Sequence, residues 1–199
     1  MDEAAEFFYL SYGDVDQWVA TLGKTSGSVF DPATGKEDFS ERIDVEEKFE
    51  AWRPGSRWEP QPICIVQSEG RKKYVRADRI YNGAVGPILS KNAVEKMRPL
   101  LEKEGHILPL RVVDLREEFF LWWVPVALNS VDIERSEKYV GKSIKKFVFD
   151  KHNTDGLTAF RPHHHGMYNP YGQGRVFVSD EFRQKWLNEG LTGILFEPV

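Results

Sequence analysis

Two stretches of this chain follow the same order: a short apolar strand, a serine, an amphipathic helix, a glycine and a second strand. In the first stretch, residues 87–89 precede Ser90, and Gly105 leads into a strand predicted over residues 107–113. Serine is a favoured N-cap, because its hydroxyl accepts a hydrogen bond from a backbone N–H of the first helical turn. Pro99 lies inside the predicted helix, where we expect a kink or a break.

The second stretch repeats this order farther along the chain. Ser179 follows a strand predicted over residues 176–178, and a closing strand is predicted over residues 194–196. Phe182 and Trp186 share one face of the intervening helix, as the buried stripe of an amphipathic helix does. The two units indicate either an internal duplication or the recurrence of a common α/β pattern.

Between the two units, residues 119–128 form an almost continuous apolar run. Such a run is typical of a strand that is covered on both faces, and Pro125 predicts a bulge or a sheet edge within it. Further strand patterns occur at EFFYLSYG, ICIVQ, YVRADRIY and SIKKFVFD. We therefore predict an α/β or α+β fold, with a mixed β-sheet and a few helices.

Composition and charge restrict the class of protein. Hydrophobic residues make up 41% and charged residues 29%, which is ordinary for a globular chain and unlike a disordered one. The formal charge of −4 argues against a nucleic-acid partner. No run approaches the roughly 18 apolar residues of a membrane span, and no signal-peptide pattern opens the sequence. With Cys64 as the only cysteine, a reducing, cytoplasmic location is expected.

The proline-rich stretch 53–62 is the best candidate for a boundary. We predict an N-terminal region, residues 1–57, with a strand, a loop and an acidic helix, and a core domain over residues 58–199. Between Glu37 and Glu50 the chain has seven acidic and two basic residues. We favour a solvated helix face there, and the alternative is an acidic surface presented to a basic partner.

Three consecutive histidines, His163, His164 and His165, stand in FRPHHHGMYNPYG. In an extended segment the first and third would face one way and the second the other. Zinc sites need three or four protein ligands, and the neighbouring histidine and aspartates show no recognised ligand spacing. We favour a polar loop between two strands, and we predict neither a metal nor a cofactor.

Catalytic motifs are missing from the sequence. HExxH, CxxC, GxSxG and a strand-following GxGxxG do not occur. Cys64 lies in an apolar strand pattern, which is typical of an inert buried thiol. The basic groups RKKYVRADR and GKSIKKF carry interleaved aromatics that could contact phosphates, but solvated strand faces are the favoured interpretation. We predict no catalytic residue and no enzyme.

One combination of segments is more specific. The apolar aromatic strand is followed in order by NSVDIERS, IKKFVFD, AFRP and the ending VFVSDEFRQKWLNEGLTGILFEPV. This order resembles a family of bacterial immunity proteins of polymorphic toxin systems, long classed as a domain of unknown function. Members end in a strand, a serine, a helix, a Gly-Leu-x-Gly sequence and a Phe-x-Pro sequence. The resemblance covers about residues 58–199, and PILSKNAVEKMRPLLEKEGHILPLRV fits the family's middle region.

The resemblance implies a bacterial protein that binds and neutralises a cognate protein toxin, by occluding its active site or locking its conformation, without catalysis. It transfers a scaffold and no binding residues, because immunity proteins recognise different toxins with different surfaces. Two other classes stay open: a small metal-dependent enzyme centred on the three histidines, and a general interaction adaptor.

The toxin-binding residues are therefore predicted from physics alone. One surface is the acidic segment, which would face a basic toxin and speed association. The other is the histidine loop, whose histidines and tyrosines would act as anchors. Together the predicted contacts are Asp38, Glu41, Asp44, Glu46, Glu47, His163, His164, His165, Tyr168 and Tyr171.

Overall fold

The computed structural model of this chain describes residues 7–12, 19–22, 29–31, 36–38, 48–49, 51–66, 68–69, 72–80, 86–113, 115–139, 144–163 and 175–199. In chain order the strands are β1 (Phe7–Tyr12), β2 (Val19–Leu22), β3 (Val29–Asp31), β4 (Lys36–Asp38), β5 (Pro62–Val66), β6 (Ser68–Glu69), β7 (Lys72–Lys73), β8 (Arg79–Ile80), β9 (Ile88–Ser90), β10 (His106–Pro109), β11 (Arg111–Val112), β12 (Phe119–Trp123), β13 (Val126–Ala127), β14 (Glu137–Lys138), β15 (Ile144–Lys146), β16 (Ala159–Pro162), β17 (Phe177–Ser179) and β18 (Ile194–Pro198). The helices with described bounds are α1 (Lys91–Glu104), α2 (Lys151–Thr154) and α3 (Asp180–Asn188).

The largest sheet has five strands in the order β13-β16-β17-β1-β18. Strand β1 lies between β17 and β18 and is antiparallel to both, whereas β13 is parallel to β16. The sheet is therefore mixed, and its first strand in sequence is paired with its last two. The α+β fold class, with mixed strands and few helices, is confirmed.

A second sheet has the order β10-β12-β9-β8, and all its pairs are antiparallel. Here β12 lies between β9 and β10, the two strands that α1 connects. In the larger sheet β1 lies in the same way between β17 and β18, which α3 connects. Both sequence units thus have one topology, in which a third, antiparallel strand separates the two strands of the unit.

The inserted strand comes from a different part of the chain in each unit. Strand β12 follows its unit directly, whereas β1 comes from the N-terminal region. The predicted division at residue 57 therefore separates β1 from the sheet in which it is paired. The helix predicted before that division is present at Lys48, Phe49 and Ala51, and Phe49 and Trp52 are buried as its inner face.

The remaining strands form smaller sheets. Strand β5 pairs in parallel with β11 and antiparallel with β2, and β3–β4, β6–β7 and β14–β15 pair as two-stranded sheets. The strand predicted over residues 107–113 is thus two strands in different sheets. The change occurs at Leu110, whose N–H bonds to Phe119 O, while the next N–H, of Arg111, bonds to Gln61 O.

Helix α1 confirms the predicted cap, and it shows that Pro99 does not break the helix. The Ser90 hydroxyl accepts a hydrogen bond from the Ala93 N–H at 3.1 Å. The helix continues through Pro99 without a break. Pro99 has no N–H to donate to the carbonyl of Glu95, four residues earlier in the helix. Both residues lie on the exposed side of the helix, so the carbonyl without a helical hydrogen bond is on the solvent side.

The main core is shared by both units. It combines the inner faces of α1 and α3 with Leu10 of β1, Val178 of β17 and Trp122 of β12. Trp122 stacks on Phe182 of α3, with ring centroids 5.2 Å apart and planes 5° apart. The predicted stripe of Phe182 and Trp186 is confirmed, since both are buried. The two units therefore bury their apolar faces against one another.

Two further predictions concern single features. Cys64 is buried in β5, as its apolar context predicts. The apolar run at residues 119–128 ends its first strand at Trp123, and β13, after Pro125, forms one edge of the larger sheet. None of the described helices is long and apolar enough to cross a membrane.

Candidate protein-binding surfaces

The predicted acidic surface lies mostly outside the described residues. Asp38 is the last residue of β4, where its backbone pairs with Val29 across a two-stranded sheet. The other four residues of the predicted acidic surface fall outside the described ranges; they are Glu41, Asp44, Glu46 and Glu47. The acidic interface therefore remains a prediction.

Of the predicted histidine loop, the structure describes His163, which follows β16. Its Nδ1 accepts a hydrogen bond from the Asn129 N–H at 3.2 Å. Its own N–H donates to the Ser130 hydroxyl at 3.0 Å, and its carbonyl accepts from the Val131 N–H at 3.2 Å. His163 thus holds the turn at residues 129–131, where Asn129 adopts a φ of 53°.

This role in the turn bears on the metal hypothesis. Nδ1 of His163 already accepts a backbone hydrogen bond, so this nitrogen could bind a metal only by giving up that contact. In the part of the chain that the structure describes, no group of three His, Cys, Asp or Glu side chains is placed to hold a metal ion. His164, His165, Tyr168 and Tyr171 lie outside that part.

The C-terminal sequence that carries the resemblance has a distinct structural role at each position. The Ser179 hydroxyl accepts a hydrogen bond from the Phe182 N–H at 3.4 Å and so caps α3. Gly190, two residues after the helix, has a φ of +65°, which favours glycine. Leu191 is buried in the main core. Each of these residues builds the scaffold.

Gly193 lies directly against the backbone of Arg79. A Cβ at this position would overlap the Arg79 carbonyl oxygen and come within 2.9 Å of its nitrogen. The φ of Gly193 is +93°, which side-chain-bearing residues rarely adopt. Only glycine therefore allows the segment before β18 to approach β8 this closely.

Thr192 and Asp78 complete the contact between the two units. The Asp78 carboxylate accepts hydrogen bonds from the Thr192 N–H at 3.1 Å and the Thr192 hydroxyl at 3.2 Å. Its other oxygen accepts from the Ser90 hydroxyl at 2.8 Å and from Asn92 Nδ2 at 2.9 Å. One carboxylate thus bonds both to the cap of α1 and to the segment that follows α3.

Asp78 is almost fully buried, yet its environment favours the ionised form. Burial by itself would raise the pKa of the carboxyl group, because desolvation disfavours the charge. The hydrogen bonds from Asn92, Ser90 and Thr192 together outweigh burial and hold the pKa below its usual value. The negative charge at this position therefore stabilises the folded chain.

A surface pocket of about 200 Å³ lies on the other face of the five-stranded sheet. Its floor includes Tyr9, which pairs in register with Phe177 on one side and with Glu197 on the other. Because residues paired in register point to the same face, these three side chains form one row across the sheet. Phe147 adds an aromatic wall, with its ring centroid 5.0 Å from that of Phe177.

The rim of this pocket, which we call the Tyr9 pocket, carries charges of both signs. Lys145, Lys146 and Arg175 line it together with Glu197 and the half-exposed Tyr139. Lys145 is engaged with Glu137, 2.5 Å away, and this hydrogen bond and the charge of Glu137 raise the lysine pKa. Arg175 lies over the Phe147 ring, 5.6 Å from its centroid.

The Tyr9 pocket does not follow from the sequence. The one local sign of it is the basic and aromatic group GKSIKKF, which supplies Ile144, Lys145, Lys146 and Phe147. That group by itself favours a solvated strand face. The sequence gives no indication that Tyr9 and Glu197, at opposite ends of the chain, lie beside this group.

No known protein-family model matches this chain, and no curated protein sequence matches it. The resemblance to immunity proteins therefore rests on the order of segments in the sequence and stays a prediction.

Proposed function

We propose that this protein is an immunity protein, which binds a cognate bacterial toxin and neutralises it by occlusion, without catalysis. The observation that carries the proposal is the ordered C-terminal sequence, in which Ser179, Leu191 and Gly193 each have a scaffold role. A pattern made of scaffold residues is what binding proteins with different partners would share, because their contact surfaces must differ.

The formal charge of the chain agrees with this proposal. At −4 the protein suits a basic partner, and nucleases that act on an acidic substrate are one such class. Attraction between opposite charges would speed the association and help select the partner, rather than supply most of the affinity.

The first experiment is to capture the protein from its native cells and identify stoichiometric partners by mass spectrometry, with metal measured in the same sample. We expect the C-terminal domain of a large secreted toxin. Expression of that domain alone should arrest growth, and coexpression of this protein should restore it. Recovery of a partner that is not toxic would favour the adaptor class instead.

The same sample tests the enzyme alternative. A protein recovered without partners but with one zinc or iron per chain would overturn the proposal. The histidine cluster at residues 163–165 would then be the place to look for a reaction, since imidazole is a common ligand of both metals.

The predicted acidic interface is tested separately by charge reversal. Reversing its five acidic residues should lower the association rate with the captured toxin and flatten the salt dependence of that rate. A matched control reverses five exposed acidic residues elsewhere, which changes the net charge by the same amount. The control residues are Glu95, Glu102, Glu134, Asp155 and Glu181. Equal effects of the two sets would show that net charge, and not this segment, controls the rate.

A further inference from the structure

The Tyr9 pocket holds charged side chains of both signs that do not pair with one another. Within the described residues, Lys146, Arg175 and Glu197 form no ion pair, although all three line the same pocket. Among the described residues that line the pocket, Lys145 does form an ion pair, with Glu137. Two cations and one carboxylate thus line an open pocket whose walls include the rings of Tyr9, Phe147 and Phe177.

We propose that the Tyr9 pocket binds a small zwitterion that carries an aromatic ring, namely an aromatic α-amino acid. Its carboxylate would lie toward Lys146 and Arg175, and its ammonium group toward Glu197. Its ring would contact the aromatic walls, where offset or edge-to-face packing is favourable. A ligand with only one charge would satisfy the cations or the carboxylate, but not both.

The size of the pocket supports a ligand of this kind. At about 200 Å³ the pocket is smaller than the roughly 300–1,000 Å³ of sites that enclose drug-sized molecules. It suits a ligand with a single ring. Arg175 is held against Phe147, which places one cation beside an aromatic surface and so favours a ring that bears a carboxylate close by.

This inference does not rest on the proposed function. The pocket would bind the amino acid whether or not a toxin is the partner. Failure to recover a toxin therefore leaves the inference untouched, and failure to bind an amino acid leaves the immunity proposal untouched.

The test is an NMR titration of the full chain with four probes. L-Phenylalanine carries the ring and both charges, 3-phenylpropionate lacks the ammonium group, phenethylamine lacks the carboxylate, and L-alanine lacks the ring. We expect L-phenylalanine to bind most tightly and to shift the amide signals of Tyr9, Lys146 and Glu197. Equal binding of L-phenylalanine and L-alanine, or of L-phenylalanine and 3-phenylpropionate, would overturn the proposal.

Charge-removing variants locate each contact. Glu197→Gln should weaken the binding of L-phenylalanine about tenfold, as expected for the loss of one hydrogen-bonded charge. The binding of 3-phenylpropionate should be no weaker in this variant. Lys146→Gln and Arg175→Gln should weaken the binding of L-phenylalanine and 3-phenylpropionate, which carry a carboxylate, and should leave the binding of phenethylamine unchanged. The matched controls are Glu102→Gln and Arg98→Gln, an exposed ion pair on α1, and they should change nothing.

The outcomes of the variants are decisive in either direction. If Glu197→Gln weakens the two carboxylate ligands equally, the carboxylate at position 197 does not recognise an ammonium group, and the proposal fails. If the control variants weaken binding as much as the pocket variants do, the effect is general electrostatics and the proposal also fails.

Discussion

The Asp78 carboxylate accepts two hydrogen bonds from Thr192, one from its N–H and one from its hydroxyl, although 114 residues separate the two in sequence. The same carboxylate bonds to Ser90, the N-cap of α1. Asp78 therefore joins the beginning of one helical unit to the end of the other. Because the group is buried and charged, its loss should be felt by the whole fold.

We expect Asp78→Asn to lower the free energy of unfolding by about 2–3 kcal/mol, since hydrogen bonds to a charged acceptor are lost and an amide donor is left among donors. Urea denaturation at neutral pH measures the change. Glu102→Gln, which removes one partner of an exposed ion pair, should cost at most about 0.5 kcal/mol. Equal losses in the two variants would contradict this assignment.

The effect of Asp78 should depend on pH. The pKa of its carboxyl group is lowered in the folded chain, below the value of about 3.9 for an unfolded aspartate. A group whose pKa is lower in the folded than in the unfolded chain adds to the free energy of unfolding. This contribution is fully present at pH values above the pKa in the unfolded chain, and it is lost as the pH falls through the pKa in the folded chain. The difference in unfolding free energy between the natural chain and Asp78→Asn should therefore be constant from about pH 7 to 5 and shrink below about pH 4. A difference at pH 3 as large as that at pH 7 would show that the ionised Asp78 carboxylate is not the source of the stabilisation.

Alanine variants of two glycines near α3 distinguish the cost of steric overlap from the cost of backbone strain. Gly193→Ala should cost about 3 kcal/mol, because it adds both an unfavourable positive φ and an overlap with the Arg79 backbone. Gly190→Ala has a positive φ as well, but nothing lies within 4 Å of its added Cβ. It should cost only about 1 kcal/mol. Thermal and urea unfolding of the two variants would check this order, which the reverse ranking would disprove.

His163 should contribute to stability through the turn that it holds. We expect His163→Ala to lower the unfolding free energy by about 1 kcal/mol, since the Asn129 N–H loses its acceptor. His152→Ala is the matched control, because the His152 side chain is exposed on α2. It should change stability by less than about 0.5 kcal/mol. Identical stabilities of the two variants would show that the Nδ1 contact has no energetic role.

Several local features follow from the sequence because their causes are local. The caps at Ser90 and Ser179 depend on a hydroxyl and a backbone N–H three residues later. The buried stripe of Phe182 and Trp186 depends on helical periodicity within one helix. These predictions are confirmed for that reason.

Other expectations needed information that the local pattern does not carry. The strand pattern YVRADRIY is reduced to β8, with Val75 in an isolated bridge. The pattern cannot indicate that Asp78 lies outside β8 and accepts hydrogen bonds from Thr192 of the other unit. Likewise, the run at residues 107–113 divides between two sheets, because the partners of its backbone groups lie elsewhere in the chain.

The two helical units, their caps, the fold class and the apolar faces to be buried all follow from local patterns in the sequence. Strand pairing in the folded chain shows that β1 completes the second unit, as β12 completes the first. Folding also places Asp78 beside Thr192, and Tyr9 beside Lys146 and Glu197 in one pocket. The physical reason is that strand pairing and buried hydrogen bonds join residues far apart in sequence, whereas periodicity and capping act within a few residues.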